Sequence, residues 1–211
     1  MADLMQLHDA ILKGDAKAAV AVTREALAEN ADPKELVSKY MIPAMDEVGR
    51  RFECQEYFVP ELLLSARAMK GALGIIRPLL VEQGAVSVGR VVIGTVKGDL
   101  HDIGKNLVGS MLEGAGFEVI DLGTDVAPGR MVSEILERKP HIVALSALLT
   151  TTMPFMKTTI EELKKAGVRE QVKVMIGGAP VTQQYANEIG ADGYAADAAS
   201  AVEVARRLCA A

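Results

Sequence analysis

Short runs of β-branched residues alternate with helix-forming stretches from about residue 88 to the end of the chain. The predicted strands are Arg90 to Thr95, Phe117 to Asp121, His141 to Ser146, Val172 to Gly177 and Gly193 to Ala195. The helical stretches begin near Asp102, Pro128, Met153, Thr182 and Ala198. This alternation is typical of strand–helix units around a buried parallel sheet. We therefore predict a doubly wound α/β domain whose ligand site lies at the carboxyl ends of its strands.

The first part of the chain has the composition of a helical domain. It is rich in Ala, Leu, Met, Lys and Glu, which are strong helix formers, and it has almost no β-branched runs. Asp15 follows Gly14 and Asp32 precedes Pro33, so each aspartate is placed to cap a new helix. We predict four helices, with a kink or a split in the third at Pro43.

The fourth helix carries an apolar stripe along one face. Its members recur at spacings of four and three residues: Leu62, Ala66, Met69, Leu73, Ile76 and Leu80. Such a face needs neighbouring helices to bury it. We therefore predict a four-helix bundle over residues 1–85, followed by a five-stranded sheet domain over residues 86–211.

Composition and charge exclude several classes of function. The formal net charge of −5 and the pI near 5.3 give no electrostatic attraction to nucleic acid or to an anionic membrane. No basic segment precedes an apolar run at the start, and the apolar runs are shorter than the roughly 20 residues that span a bilayer. Cys54 and Cys209 form neither a disulfide framework nor a zinc-knuckle spacing. We expect a soluble, cytoplasmic protein.

The loop after the first predicted strand concentrates the residues that can carry chemistry. The segment VIGTVKGDLHDIG contains Gly94, Gly98, Asp99, His101, Asp102 and Gly104. Two interpretations are open. The glycines can simply shape a turn while Asp99 or Asp102 caps the next helix. Alternatively, Asp99 can hold one ring nitrogen of His101 and raise the basicity of the other as a metal ligand.

Three other kinds of site do not fit this loop. A dinucleotide fold needs Gly-x-Gly-x-x-Gly directly after the strand, whereas the glycines here stand at 94, 98 and 104. A P-loop needs Gly-Lys-Ser/Thr, and the segment GKN at 104–106 lacks the hydroxyl. A hydrolytic zinc centre needs several His or Cys ligands, but His8, His101 and His141 lie in separate regions. A single protein ligand suggests a metal that arrives in its own macrocycle.

Three motifs lie at predicted strand ends: Asp99-x-His101-x-x-Gly104, the segment SALLTTTM from Ser146, and Gly177-Gly178. As a set they resemble the cobalamin-binding domain of methionine synthase and related corrinoid proteins. The helical part, including RRFECQEYFVPELLLSARAM, is similar to the four-helix cap of the same group. The compact length most resembles the small corrinoid proteins of methylamine, methanol and aryl-ether methyltransferase systems. The resemblance implies a flavodoxin-like (Rossmann-like) sheet domain that binds cobalamin or a related cobamide.

The resemblance also implies how the cofactor is held. The lower base of the cobamide leaves the cobalt, its tail enters the sheet, and His101 becomes the lower axial ligand. Asp99 supports His101, and Thr152 stands where methionine synthase commonly has a serine bonded to the aspartate. The implied cofactor contacts are Gly98, Asp99, Leu100, His101, Asp102, Ile103, Gly104, Ser146, Leu148, Thr150, Gly177, Gly178, Tyr194 and Ala198. Several of these also have a purely structural interpretation: Ser146 as a helix-cap or turn residue, and Gly177 and Gly178 as a turn.

In the helical part, Tyr57, Phe58, Leu62 and Met69 are candidates to cover the upper, methyl-bearing face of the cofactor. A stripe of aromatic and methionine side chains at helical spacing is usually core, so we retain only Phe58. The resemblance implies that the cap moves aside during methyl transfer. We therefore predict a hinge near Glu82 to Val88.

The implied function is that of a carrier rather than a stand-alone methyltransferase. Cobalt(I) accepts a methyl group inside a substrate-specific methyltransferase, and methyl-cobalt(III) donates it inside a second one, to tetrahydrofolate or a thiol. A reductive activator is a third implied partner. A cobalamin-binding sensor is the alternative, but it needs a basic DNA-reading helix, and none is evident. The methyl donor stays open among methylamines, methanol, betaines and methoxylated aromatics.

Overall fold

A computed structural model describes residues 3–82 and 88–210 of the 211-residue chain. These residues form two compact units: a helical unit before Val88, with which Glu113–Gly116 is grouped, and a sheet unit from Val88 onward. The hinge that the sequence predicts near Glu82 to Val88 falls on residues 83–87, which lie outside the described residues. Within the described ranges, no helix is both long enough and apolar enough to cross a bilayer.

The helical unit is built from consecutive helices joined by short turns. They are α1 (Met5–Leu12), α2 (Ala16–Ala28), α3 (Pro33–Glu35), a π-helical segment (Leu36–Met41), α4 (Ile42–Glu53) and α5 (Val59–Glu82). Because α3, the π-helical segment and α4 are continuous, residues 3–82 form the four helical rods that the sequence predicts. The predicted caps are also confirmed, since Asp15 accepts the N–H of Ala18 and Asp32 accepts the N–H of Lys34, both at 3.0 Å.

Pro43 disturbs the third rod without breaking it. A proline has no N–H for the usual bond to the carbonyl four residues earlier. The turn before Pro43 widens into the π-helical segment, and the N–H of Ile42 donates to the carbonyl of Val37, five residues earlier. The sequence located the disturbance, but the structure shows that it takes the form of a widened turn.

The apolar stripe of α5 forms much of the core of the helical unit. Leu62, Met69 and Ile76 are fully buried, and Ala66 and Leu73 are nearly so, whereas Leu80 is half-buried. These side chains face the other helices of the unit, because α5 packs against α1, α2 and α4. The periodicity therefore predicted the buried face correctly along most of the helix.

The sheet unit alternates strands and helices. Its elements are β1 (Arg90–Thr95), α6 (Ile103–Gly114), β2 (Glu118–Asp121), α7 (Pro128–Arg138), β3 (Ile142–Ser146), α8 (Pro154–Lys165), a 3₁₀ turn (Arg169–Gln171), β4 (Lys173–Gly177), α9 (Gln183–Ile189), β5 (Gly193–Ala195) and α10 (Ala198–Ala210). The strands are parallel and lie in the order β2-β1-β3-β4-β5. This is the predicted flavodoxin-like α/β fold. Three strands, β2, β3 and β4, begin one residue later than predicted.

The strand order fixes where a ligand can bind. The chain leaves β1 towards β2 on one side, and it leaves β3 towards β4 on the other, so a switch point lies between β1 and β3. The register sets Thr95, Ser146, Gly177 and Ala195 side by side across four strands. The loops after β1 and β3 therefore emerge next to each other at the carboxyl edge of the sheet.

Candidate functional site

A buried carboxylate joins the loop after β1 to the loop after β3. Asp99 is 0% exposed. Its Oδ1 accepts the backbone N–H of His101 at 3.0 Å and lies 2.7 Å from the Nδ1 of the same residue. Its Oδ2 accepts the N–H of Leu148 at 2.8 Å and the hydroxyl of Thr152 at 2.7 Å, with the N–H of Leu149 at 3.4 Å. Asp99 thus holds two loops that are about 50 residues apart in sequence.

These hydrogen bonds decide the ionisation of Asp99. Burial is the largest influence and by itself would raise the pKa of the carboxyl group. Hydrogen bonds from the Thr152 hydroxyl, from the N–H groups of His101 and Leu148 and from the His101 ring together outweigh it. The pKa of Asp99 is therefore held well below its usual range, and the side chain is a carboxylate that acts only as an acceptor.

The His101 ring is oriented by this carboxylate. Because ionised Asp99 can only accept, Nδ1 of His101 must carry the proton that is donated to it. In the neutral imidazole, Nε2 then keeps its lone pair, and the side chain is 49% exposed. This is the tautomer that a metal ligand at Nε2 requires.

The backbone of His101 is fixed by a residue that the sequence did not single out. Thr95, the last residue of β1, is fully buried, and its hydroxyl donates to the carbonyl of His101 at 2.9 Å. Its position in the segment GTVKGDLH was a usable signal, because a polar residue at the end of a buried strand needs a partner.

A buried lysine secures the helix that follows the histidine loop. Lys105 lies in the first turn of α6, and its side chain is 1% exposed. Its ammonium donates to Asp121, at the end of β2, and to the side chain of Asn106 at 2.6 Å. This lysine belongs to the segment GKN that failed the P-loop test. Its role in the described structure is to anchor α6 to the sheet edge.

Large apolar side chains are exposed in the two loops that Asp99 joins and at the start of α6. Leu100 and Ile103 are 74% and 83% exposed, and Leu148 and Leu149 are each 42% exposed. Large apolar side chains gathered at a ligand-binding edge favour a broad, partly apolar ligand. In residues 3–82 and 88–210, no three His, Cys, Asp or Glu side chains come together as a metal site. The arrangement offers one imidazole nitrogen beside an apolar surface.

Family comparisons agree with this geometry. A family model described as a B12 binding domain matches residues 89–203, and a second B12 binding domain model matches residues 4–77. Trimethylamine corrinoid protein 1 of Methanosarcina acetivorans is 47% identical over 207 residues, which covers 97% of this chain and 96% of that protein. The chain belongs to the B12-binding corrinoid proteins.

Solved structures place this corrinoid protein in the same group. It is similar to a cobalamin-binding protein from Desulfitobacterium hafniense, with a TM-score of 0.82, 35% identity and 99% coverage of both chains. It is also similar to a chain of the methanol:cobalamin methyltransferase complex from Methanosarcina barkeri. That match has a TM-score of 0.85 and 29% identity, over 99% of this chain and 80% of that one.

The residues of this corrinoid protein fit a cobalt corrinoid. A corrinoid would hold its cobalt in its own macrocycle, so the single imidazole of His101 would be a sufficient protein donor to the metal. The exposed leucines and isoleucine of the loops after β1 and β3 and of the first turn of α6 suit the broad, partly apolar macrocycle. The donor set and the surface are thus both compatible with a bound corrinoid.

The glycines of the corrinoid protein are explained in part by the fold itself. Gly98 adopts φ +78°, which favours glycine. At Gly178, with φ +131°, a Cβ would lie 1.9 Å from the carbonyl oxygen of Ala147. At Gly177 it would lie 3.0 Å from the carbonyl oxygen of Ala195. The space beside Gly177 and Gly178 is therefore occupied by neighbouring backbone, and their contact with a cofactor stays a prediction.

The other predicted contacts occupy the same edge of the sheet. Ser146 ends β3 and is half-buried, whereas Thr150, in the loop that follows, is exposed. Tyr194 lies in β5, and buried Ala198 begins α10. Asp102 and Gly104 flank the start of α6, and the carboxylate of Asp102 accepts the side-chain amide of Asn106 at 3.1 Å. Their contacts with a cofactor stay a prediction.

Phe58, the predicted contact in the helical unit, is 63% exposed. It directly precedes α5, and its N–H donates to Glu61 at 3.0 Å, which caps that helix. The neighbouring candidates have structural roles, since Leu62 and Met69 are fully buried. The hydroxyl of Tyr57 donates to the carbonyl of Leu12 at 3.2 Å. Phe58 is the exposed member of this group, and its contact with a cofactor stays a prediction.

Proposed function

We propose that this corrinoid protein binds a cobamide with its lower base detached and with His101 as the lower axial ligand of the cobalt. The bound cofactor supplies a cobalt that can accept and release a methyl group. The observation that carries the proposal is the pairing of His101 Nδ1 with the ionised, buried Asp99, which leaves Nε2 as the free ligand atom. Similarity to a trimethylamine corrinoid protein over nearly the whole of both chains supports methyl carriage.

The residues around the histidine would manage its proton. If His101 were to carry a second proton, at Nε2, the Asp99 carboxylate 2.7 Å from Nδ1 would stabilise the imidazolium. The Thr152 hydroxyl keeps that carboxylate hydrogen-bonded throughout. We place the corrin contacts at Gly98, Leu100, Asp102, Ile103, Gly104 and Leu148. We place the tail contacts at Ser146, Thr150, Gly177, Gly178, Tyr194 and Ala198.

The helical unit is proposed as the cap of the methyl-bearing face. The two B12 binding domain models match residues 4–77 and 89–203 separately, which supports a domain boundary near residue 85. The exposed ring of Phe58 is our candidate for contact with that face. Its large apolar surface would help to keep water from the methyl group.

Two methyltransferases are the proposed partners, one that loads the methyl group and one that removes it. A solved relative belongs to a methanol:cobalamin methyltransferase complex, which supports the first. A tetrahydrofolate- or thiol-dependent enzyme is proposed for the second, and a reductive activator would restore the carrier after accidental oxidation. We place the carrier in the cytoplasm with these enzymes.

Methyl loading by a candidate partner tests the proposed function. The protein, loaded with a cobamide and reduced, is mixed with trimethylamine and a trimethylamine-specific methyltransferase, and methylation is followed by visible absorption. We expect about one methyl group per bound cobamide, and its release when the second enzyme and a thiol are added. Methanol with a methanol-specific methyltransferase is the specificity control. Full loading with cobamide but no methylation by any methylamine, methanol, betaine or methoxylated-aromatic system would contradict methyl carriage.

A further inference from the structure

Asp125, in the segment between β2 and α7, has an unusual backbone conformation. Its φ is +53°, in the left-handed region that non-glycine residues rarely adopt. The other described non-glycine residues with positive φ are Asn30, Gln55 and Lys139. Each of those lies one or two residues after the end of a helix, where a left-handed residue is a common terminator. Asp125 ends no helix, so its conformation needs another explanation.

The backbone on both sides of Asp125 is held against the end of β1. The N–H of Thr95 donates to the carbonyl of Gly123 at 3.0 Å, and the N–H of Val126 donates to the carbonyl of Thr95 at 2.9 Å. Val96 and Val126 also form a parallel bridge. Strained conformations persist where surrounding structure over-determines them, and they are frequent beside functional sites. The segment thus fixes Asp125 beside the histidine loop.

Asp125 forms hydrogen bonds to two consecutive residues of the histidine loop, Gly98 and Asp99. Its Oδ1 accepts the N–H of Gly98 at 2.7 Å. Its own N–H donates to the carbonyl of Asp99 at 3.0 Å. The first bond depends on the carboxylate, and the second depends on the left-handed backbone. Together they bracket the Gly98–Asp99 peptide from the side opposite the loop after β3.

We propose that Asp125 is a positioning residue that sets the Asp99–His101 pair for metal ligation. It acts through the backbone of Gly98 and Asp99, which also adopts a left-handed conformation at Gly98. The carboxylate of Asp99 can orient the His101 ring only if its own backbone is fixed, and Asp125 supplies that fixing. The expected effect of Asp125 on cobamide affinity rests on the proposed function.

Three variants distinguish the positioning role of Asp125 from the effects of a change in backbone strain at a left-handed residue. Asp125→Gly removes the carboxylate but keeps the left-handed backbone and its N–H, and relief of strain offsets part of the lost bond, so the variant is expected to fold. Asp125→Asn keeps an acceptor oxygen and tolerates positive φ. Lys139→Gly is the matched control, because it also replaces a left-handed residue by glycine, at the end of α7.

Three measurements on each variant decide the matter: the exchange rate of the Gly98 amide, the ¹⁵N signals of the His101 ring and the affinity for a cobamide. In the cofactor-free protein, we expect Asp125→Gly to raise the exchange rate of the Gly98 amide about tenfold and to shift the ¹⁵N signals of the His101 ring. Its affinity for a cobamide should fall about tenfold, whereas Asp125→Asn and Lys139→Gly should stay within about threefold of the original protein. A role confined to stability would alter the thermal midpoint and leave the ring signals unchanged.

The outcomes distinguish this inference from the proposed function. If the unmodified protein binds a cobamide and Asp125→Gly matches it in affinity, Gly98 exchange and ring signals, the positioning role is wrong. If the unmodified protein binds no cobamide, the proposed function fails. The Gly98 exchange rate and the His101 ring signals still decide whether Asp125 orients the pair in that case.

Discussion

Replacing Asp99 by Asn is expected to lower the free energy of unfolding of the cofactor-free protein by about 2–4 kcal/mol. The carboxylate accepts hydrogen bonds from His101, Leu148 and Thr152, and it is fully buried. An amide keeps one acceptor oxygen, so its NH₂ group must face donors that it cannot satisfy. Denaturant unfolding, followed by circular dichroism, measures the loss. Cobamide affinity should fall as well, because the His101 ring loses its orienting partner.

Graded variants show whether the effect comes from this network. Thr152→Val removes one donor and should cost about 1–2 kcal/mol, whereas Thr152→Ser keeps the hydroxyl and should cost less. Asp102→Asn is the matched control, because it makes the same change at an exposed position of the same loop, and it should stay within about 0.5 kcal/mol of the original. An Asp99→Asn variant as stable as Asp102→Asn would show that the hydrogen bonds of Asp99 do not stabilise the fold.

Replacing Gly178 by Ala should have a comparable effect for a different reason. A Cβ there would lie 1.9 Å from the carbonyl oxygen of Ala147, and φ at this position is +131°. Because the contact is with backbone, the strand end must shift to relieve it, at a cost of about 3 kcal/mol or more. Denaturant unfolding of the cofactor-free protein measures the cost.

Gly104→Ala provides the contrast. No heavy atom lies within 4 Å of a Cβ at Gly104, which stands in the first turn of α6. That variant should be as stable as the original or up to about 1 kcal/mol more stable, because alanine favours the helix. If Gly178→Ala folds with full stability and loses only cobamide affinity, the glycine serves the ligand and not the fold.

The architecture was open to prediction because it depends on local patterns. Every strand was placed to within one residue, since buried parallel strands appear as short β-branched runs between helical stretches. The caps at Asp15 and Asp32 were equally local. At Pro43 only the position of the disturbance was predictable, because a missing N–H does not specify whether a helix bends, breaks or widens.

The site was only partly open to prediction, because its contacts join residues far apart in sequence. The approach of Thr152 to Asp99 depends on the register between β1 and β3. The pairing of these two residues was predicted only through the family resemblance. The hydroxyl of Thr95 bonds a carbonyl six residues later, which no spacing rule anticipates. The left-handed conformation of Asp125 depends on pairing with β1, and it carries no local signature such as Asn-Gly.

Electron paramagnetic resonance of the protein loaded with a cobamide and reduced to cobalt(II) tests the central claim most directly. The protein is grown with ¹⁵N-labelled histidine, and the cobamide is unlabelled. A histidine ligand splits each cobalt line into a doublet, whereas the cofactor's own ¹⁴N base gives a triplet. We predict doublets that persist in His8→Ala and His141→Ala and disappear in His101→Ala. Triplets in the unmodified protein, or doublets that survive His101→Ala, would contradict His101 as the cobalt ligand.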